Sequence, residues 1–283
     1  MSLYELRRPE VATAPLLIAA FDSWIDAGGA SSTAADLLAG DSETIVDFDP
    51  DVLFDYRSRR PTLQIVDGRL AELTWPSLRI RHRRLGGRDV LILSGAEPDF
   101  RWHQLADAVG EIVRELNVRL WISLGAIPAA VPHTRPVPVL GSSSSADLLL
   151  GDVRPGPAGT LRVPSAALSV LEHAIGGGGI PAIGYYAQVP HYLSGPYPAA
   201  AIALIRAVGR HVGFEIPTPE LVEEARDLRD RIDLATGADE ATRTYVERLE
   251  AMVDEERLPS GDDLISEIER FLRDRGSEGS ERP

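Results

Sequence analysis

Apolar and polar positions along the chain follow two periods. Leu16–Phe21 is a short apolar run without helical spacing, closed by Asp22 and a Gly-containing turn, which is the pattern of a buried strand. The small, Gly-bounded stretch Ala30–Ala39 predicts a first helix, and Thr44–Phe48 the next strand. Leu63–Val66, Asp67-Gly68 and Arg69–Trp75 give a hairpin signal, because Asp-Gly readily takes the positive φ values of a type I′ turn. Leu78–Arg84 and Asp89–Leu93 read as two strands turned by Gly86-Gly87. Phe100, Trp102, Leu105, Val109, Ile112 and Leu116 recur at helical spacing. Leu120–Ile127, Val137–Gly141 and Ile180–Val189 complete the strands, with a helix over Ser165–Ala174.

Beyond Pro198 the period is helical throughout. Ala199–Val212 is apolar around most of its circumference and predicts a helix packed on the sheet. Leu221, Leu228 and Ile232, then Tyr245, Leu249 and Met252, then Leu264, Ile268 and Phe271 mark three amphipathic helices, the last starting near Ser260 with Asp262 and Asp263. Strands alternating with helices predict an α/β fold with a mostly parallel sheet, flanking helices and one antiparallel hairpin, followed by a C-terminal helical extension. The expected units are an α/β core over 1–213, an acidic helical extension over 214–275 packed on that core, and a disordered tail over 276–283.

Composition narrows the chemistry. All 29 basic side chains are arginine, and there is no cysteine. Schiff-base and P-loop chemistry, thiol nucleophiles, thiolate metal sites and disulfides are therefore excluded. Apolar runs such as Ala14–Phe21 fall far short of the roughly 20 residues of a membrane span. Arg7 and Arg8 are followed by Pro9 and Glu10, which is no signal-peptide layout, so a cytoplasmic setting is expected. The charge is lopsided: residues 214–283 hold 21 acidic and 10 basic side chains of a chain whose net charge is −14. That acidity and the lack of a basic stripe argue against a nucleic-acid partner.

Four strand-end loops carry candidate chemistry. The turn after the first strand offers Asp22, Trp24 and Asp26 beside Gly28-Gly29, where two carboxylates could act as base and orienter; its structural alternative is a tight turn with Asp26 capping the helix. Pro132–Pro136 presents His133, Thr134 and Arg135 to an anion, with Gly141–Ser145 at a second strand end, or else is a rigid surface loop with a serine cap. Arg57, with Arg59 and Arg60, could clamp a phosphate or form a salt-bridge patch. His191 and Tyr192 follow the last strand. Asp99, His103 and Asp107 have metal-like spacing but lie off their helix's apolar stripe, and no metal or cofactor is expected. Ser123 lacks the first glycine of a nucleophile elbow, since Trp121 stands there, and Gly176–Gly179 fits no dinucleotide fingerprint.

Phe21–Gly28, Phe54-Asp55-Tyr56-Arg57, Gly125–Pro128, Pro132–Pro136, Gly156–Gly159, Pro190-His191-Tyr192 and Leu258–Gly261, taken in order, resemble the PAC2 (proteasome assembly chaperone 2) family in its actinobacterial branch. The resemblance implies a core similar to the purine nucleoside phosphorylase fold, a helical C-terminal extension and a homo-oligomer, with a trimer expected. It fits a non-catalytic protein-interaction or assembly-chaperone-like role, which the amphipathic acidic helices of 217–275 also favour as a surface for a protein partner. Relatives that dock on proteasome rings through a hydrophobic–Tyr–any tail have tyrosine where this chain has Arg282, so tail docking is not expected. The alternative is a nucleoside-phosphorylase-like enzyme, or a small-anion or nucleotide binder, in a strand-end pocket. That alternative requires Asp22, Trp24, Asp26, Arg57, His133, Arg135, His191 and Tyr192 to converge.

Overall fold

The computed structural model describes residues 3–7, 14–22, 24–151, 153–156 and 159–257. Its strands are β1 (Tyr4–Leu6), β2 (Leu16–Asp22), β3 (Glu43–Phe48), β4 (Thr62–Val66), β5 (Arg69–Thr74), β6 (Leu78–Leu85), β7 (Arg88–Ala96), β8 (Leu120–Ala129), β9 (Val139–Ser143), β10 (Arg154–Pro155) and β11 (Ala182–Pro190). Its helices are α1 (Ala30–Ala39), α2 (Pro50–Leu53), α3 (Trp102–Glu115), α4 (Ala167–Gly177), α5 (Pro198–Val212), α6 (Pro219–Ala238) and α7 (Glu240–Arg257).

Nine strands form one mixed sheet in the order β1-β3-β6-β7-β2-β8-β11-β9-β10. At its centre β7, β2, β8 and β11 run parallel, and antiparallel ladders join β6 and β9 to this block. Parallel strands need covered faces, and β2 shows the result. Leu16, Ile18 and Ala20 join the core shared with α1 and α5, while Leu17, Ala19 and Phe21 join the core shared with α3 and α4. Period two thus divides an unbroken apolar run between two layers of helices.

The predicted hairpin is present as β4 and β5, but it does not enter the main sheet. It forms a separate two-stranded ribbon with every residue of both strands exposed. On the acidic extension, α6 lies beside α5 and α7 beside α6. Leu221 is buried and Leu228 packs against the core, while α7 buries Val246 and Leu249. Met252, expected on that stripe, is half exposed. The third amphipathic helix around Leu264–Phe271 and the tail over 276–283 fall outside the described residues. Among the described residues, no helix is long and apolar enough to cross a membrane.

Candidate functional site

The turn between β2 and α1 is built for structure. The Asp26 carboxylate accepts from the Ser31 amide (2.7 Å), the Ser31 hydroxyl (2.7 Å), the Ser32 amide (3.2 Å) and the Ser32 hydroxyl (2.6 Å). It satisfies the free amides of the first turn of α1, as a negative charge at a helix N-terminus should. The Ala126 amide donates to the Ile25 carbonyl at 2.6 Å and the Tyr197 amide to that of Gly28 at 2.9 Å, so the turn is clamped to β8 and to the start of α5. Gly28 has φ 63°, and a Cβ there would approach that of Tyr197 to 2.8 Å, so only glycine fits without displacement. Trp24 is 65% exposed.

Asp22 accepts from Arg59 at 2.7 Å and from the Glu97 amide at 3.3 Å, beside a small cavity of about 340 Å3. Partial burial raises its pKa, against the opposing pull of Arg59. Arg57 points into solvent and bonds only weakly to Asp55 of its own turn, at 3.4 Å. Asp99 accepts from the Asp55 amide at 2.8 Å, away from the exposed His103 and Asp107. The serines near Gly141 are occupied as well: the Ser142 hydroxyl bonds Glu172 at 2.7 Å, and the Ser144 hydroxyl accepts from the Ala182 amide at 3.0 Å.

The other four candidates converge. The His133 side chain, 1% exposed, bonds the Tyr192 hydroxyl through Nδ1 at 2.7 Å and Asp233 of α6 through Nε2 at 2.9 Å. The same hydroxyl accepts from the His133 amide at 2.9 Å. A neutral imidazole with its proton on Nε2 satisfies every one of these contacts. His191 donates from Nδ1 to the Ala129 carbonyl at 3.0 Å, and its Nε2 accepts from Tyr245 of α7 at 3.2 Å. Arg135 grips Asp254 of α7 with two nitrogens, at 3.0 and 2.7 Å, and reaches Glu250 at 3.2 Å. Thr134 bonds Glu250 too. The rings of His133, Tyr192, His191 and Tyr245 meet edge to face, with centroids 5.7–6.2 Å apart.

This cluster clasps α6 and α7 to the loops that leave β8 and β11. Asp233, Tyr245, Glu250 and Asp254 complete it. They lie 54 to 119 residues from their partners, and no spacing in the sequence marks them out as such. The clasp has the look of an Asp–His–Tyr relay, with both ring nitrogens of His133 engaged within the protein. Burial raises the pKa of Tyr192, which leaves its oxygen protonated at neutral pH and a poor nucleophile.

A family model, that of the PAC2 family, matches residues 20–236. The chain belongs to the PAC2 family. Among its solved relatives is a Corynebacterium glutamicum protein of unknown function, 33% identical, with a TM-score of 0.84 over 90% of this chain and 98% of that one. The Mycobacterium tuberculosis proteasome-assembly chaperone homologue is 36% identical, with a TM-score of 0.73 over 82% of this chain and 99% of its own. The PAC2 family protein of Streptomyces avermitilis is 34% identical, with a TM-score of 0.72 over the same shares. No protein of curated function matches the chain. PAC2 proteins thus share this mixed sheet and its flanking helices.

Proposed function

We propose that this PAC2 protein is a non-catalytic, assembly-chaperone-like interaction protein that works as a homo-oligomer in the cytoplasm. The observation that carries this reading is the clasp. The residues best suited to acid–base work, His133, Tyr192 and Asp233, are bonded to one another and hold two helices in place. Asp22, Asp26 and Arg57 are bonded to other partners, which weighs against the enzyme alternative. A relative described as a proteasome-assembly chaperone homologue supports the same reading. The partner surface in this proposal is the outward, acidic side of α6 and α7, where Glu223, Glu224, Asp227 and Glu247 are exposed.

The test mixes the purified protein with free proteasome α and β subunits and follows particle formation on native gels. A complex and faster assembly are expected, both weakening as salt rises from about 50 to about 300 mM, because exposed charges act over a shrinking screening length. No complex and an unchanged assembly rate at every ionic strength would overturn the proposal.

A further inference from the structure

Beside the clasp lies a cavity of about 1200 Å3, walled by α5, α6, the Ala129–Leu140 connection and the end of α7. Small-molecule sites span roughly 300–1,000 Å3, so this volume is ample for an organic ligand. Helical spacing sets the two facing walls. On α5, Ala199, Ile202, Arg206 and Arg210 follow one another every three or four residues, and on α6 so do Val222, Arg226 and Arg229. Ile202 is buried and Val137 and Val139 are half buried, whereas Arg206 and Arg226 are exposed. The lining therefore has an apolar floor and a guanidinium rim.

The charge pattern is the reverse of the chain's own. In a protein of net charge −14, four arginines from two helices face a single space. The lining acids are Asp230 and Asp233, and Asp233 is already engaged by His133 and Arg229. No hydrogen bond or ion pair holds Arg206 or Arg226 among the described residues. An anionic group at this rim gains charge-assisted hydrogen bonds in fork geometry. The floor adds apolar area that an inorganic anion cannot use.

We propose that this cavity binds an anionic amphiphile, a phosphate or carboxylate head on an apolar body. Arg206 and Arg226 take the head, and Val137, Val139, Ile202 and Val222 take the body. The site uses none of the clasp's bonds and holds whether or not the protein assists assembly.

The test is isothermal titration of the full chain with decyl phosphate, decanoate, inorganic phosphate and 1-decanol. At least one of the two amphiphilic anions binds, and the stronger of them identifies the head. The Arg206→Ala, Arg226→Ala double variant binds it at least about tenfold more weakly, a loss of about 1.4 kcal/mol, because the charge-assisted bonds to the head are gone. Its unliganded melting temperature stays at the wild-type value, because both side chains are exposed. Val222→Asp, which sets a carboxylate one turn from Arg226 in the lining, weakens binding as well. The inference is overturned if neither amphiphile binds, or if 1-decanol or inorganic phosphate binds as tightly as the amphiphilic anions. It is equally overturned if the double variant binds undiminished.

Discussion

The half-buried His211 is kept neutral by its surroundings, with a consequence for stability. Its Nε2 meets the hydroxyl of the fully buried Tyr185 at 2.5 Å, which leaves the imidazole as the acceptor. Burial, assisted by the positive charges of Arg210 and Arg119, lowers its pKa from 6.5 to about 4. The unfolded chain takes up a proton near pH 6.5 and the folded chain only near 4. Stability from this group is thus complete above pH 6.5 and is lost as pH falls through that window. Urea midpoints measured at pH 7 and pH 5 should show a smaller loss in His211→Gln, which cannot take up the proton. An equal loss in the variant and the wild type would assign the pH dependence to other groups.

At the scale of elements, what the sequence revealed depended on how local each cause was. The apolar run of β2 and the stripe of α3 are written in neighbouring residues, and the strands and helices appear where period and turn chemistry place them. Asp26 was legible as a cap for the same reason, since the amides it serves are five and six residues away. The clasp was only half legible. His133, Arg135, His191 and Tyr192 stood out at strand ends, but Asp233 and Asp254 are separated from their partners by 100 and 119 residues, and on charged helices nothing distinguishes them. The short β1 and α2 had no period long enough to signal. Docking of α6 has a further component besides the clasp, since Leu228 packs on the α5 side of the core. Leu228→Asp replaces that contact with a desolvated carboxylate and should cost about 1–3 kcal/mol, or about 3–10 °C in melting temperature for a domain of this size. Amide exchange in α6 and α7 should accelerate together. An unchanged melting curve would mean that α6 is not held through this face.

Across the whole molecule, the feature a single chain does not explain is the β4–β5 ribbon. Its ladder sets Leu63 opposite Leu73 and Ile65 opposite Leu70, while Gln64 faces Glu72 on the other side. One face is therefore apolar and the other polar, the pattern of a ribbon meant to be covered on one side. Among the described residues nothing covers it: Ile65 is 59% and Leu70 is 74% exposed. A two-stranded ribbon is marginal alone in water, and here its base is anchored through the Tyr56–Trp75 ring contact at 4.7 Å. A second copy of the chain is the partner we propose for this face; in the trimer that the family resemblance leads us to expect, each ribbon would reach its neighbour by the same contact. Large apolar side chains contribute up to about 1.5–3 kcal/mol each when fully buried, so four of them can hold such a trimer. Sedimentation equilibrium at about 10 μM should then find a trimer, and the double variant Ile65→Glu, Leu70→Glu should sediment as a monomer, since association is concentration-dependent and rests on this face. The variant should keep its far-UV circular dichroism, because neither side chain belongs to the folded core of the protomer. A wild-type monomer at that concentration, or a variant that remains trimeric, would show that the ribbon has another purpose.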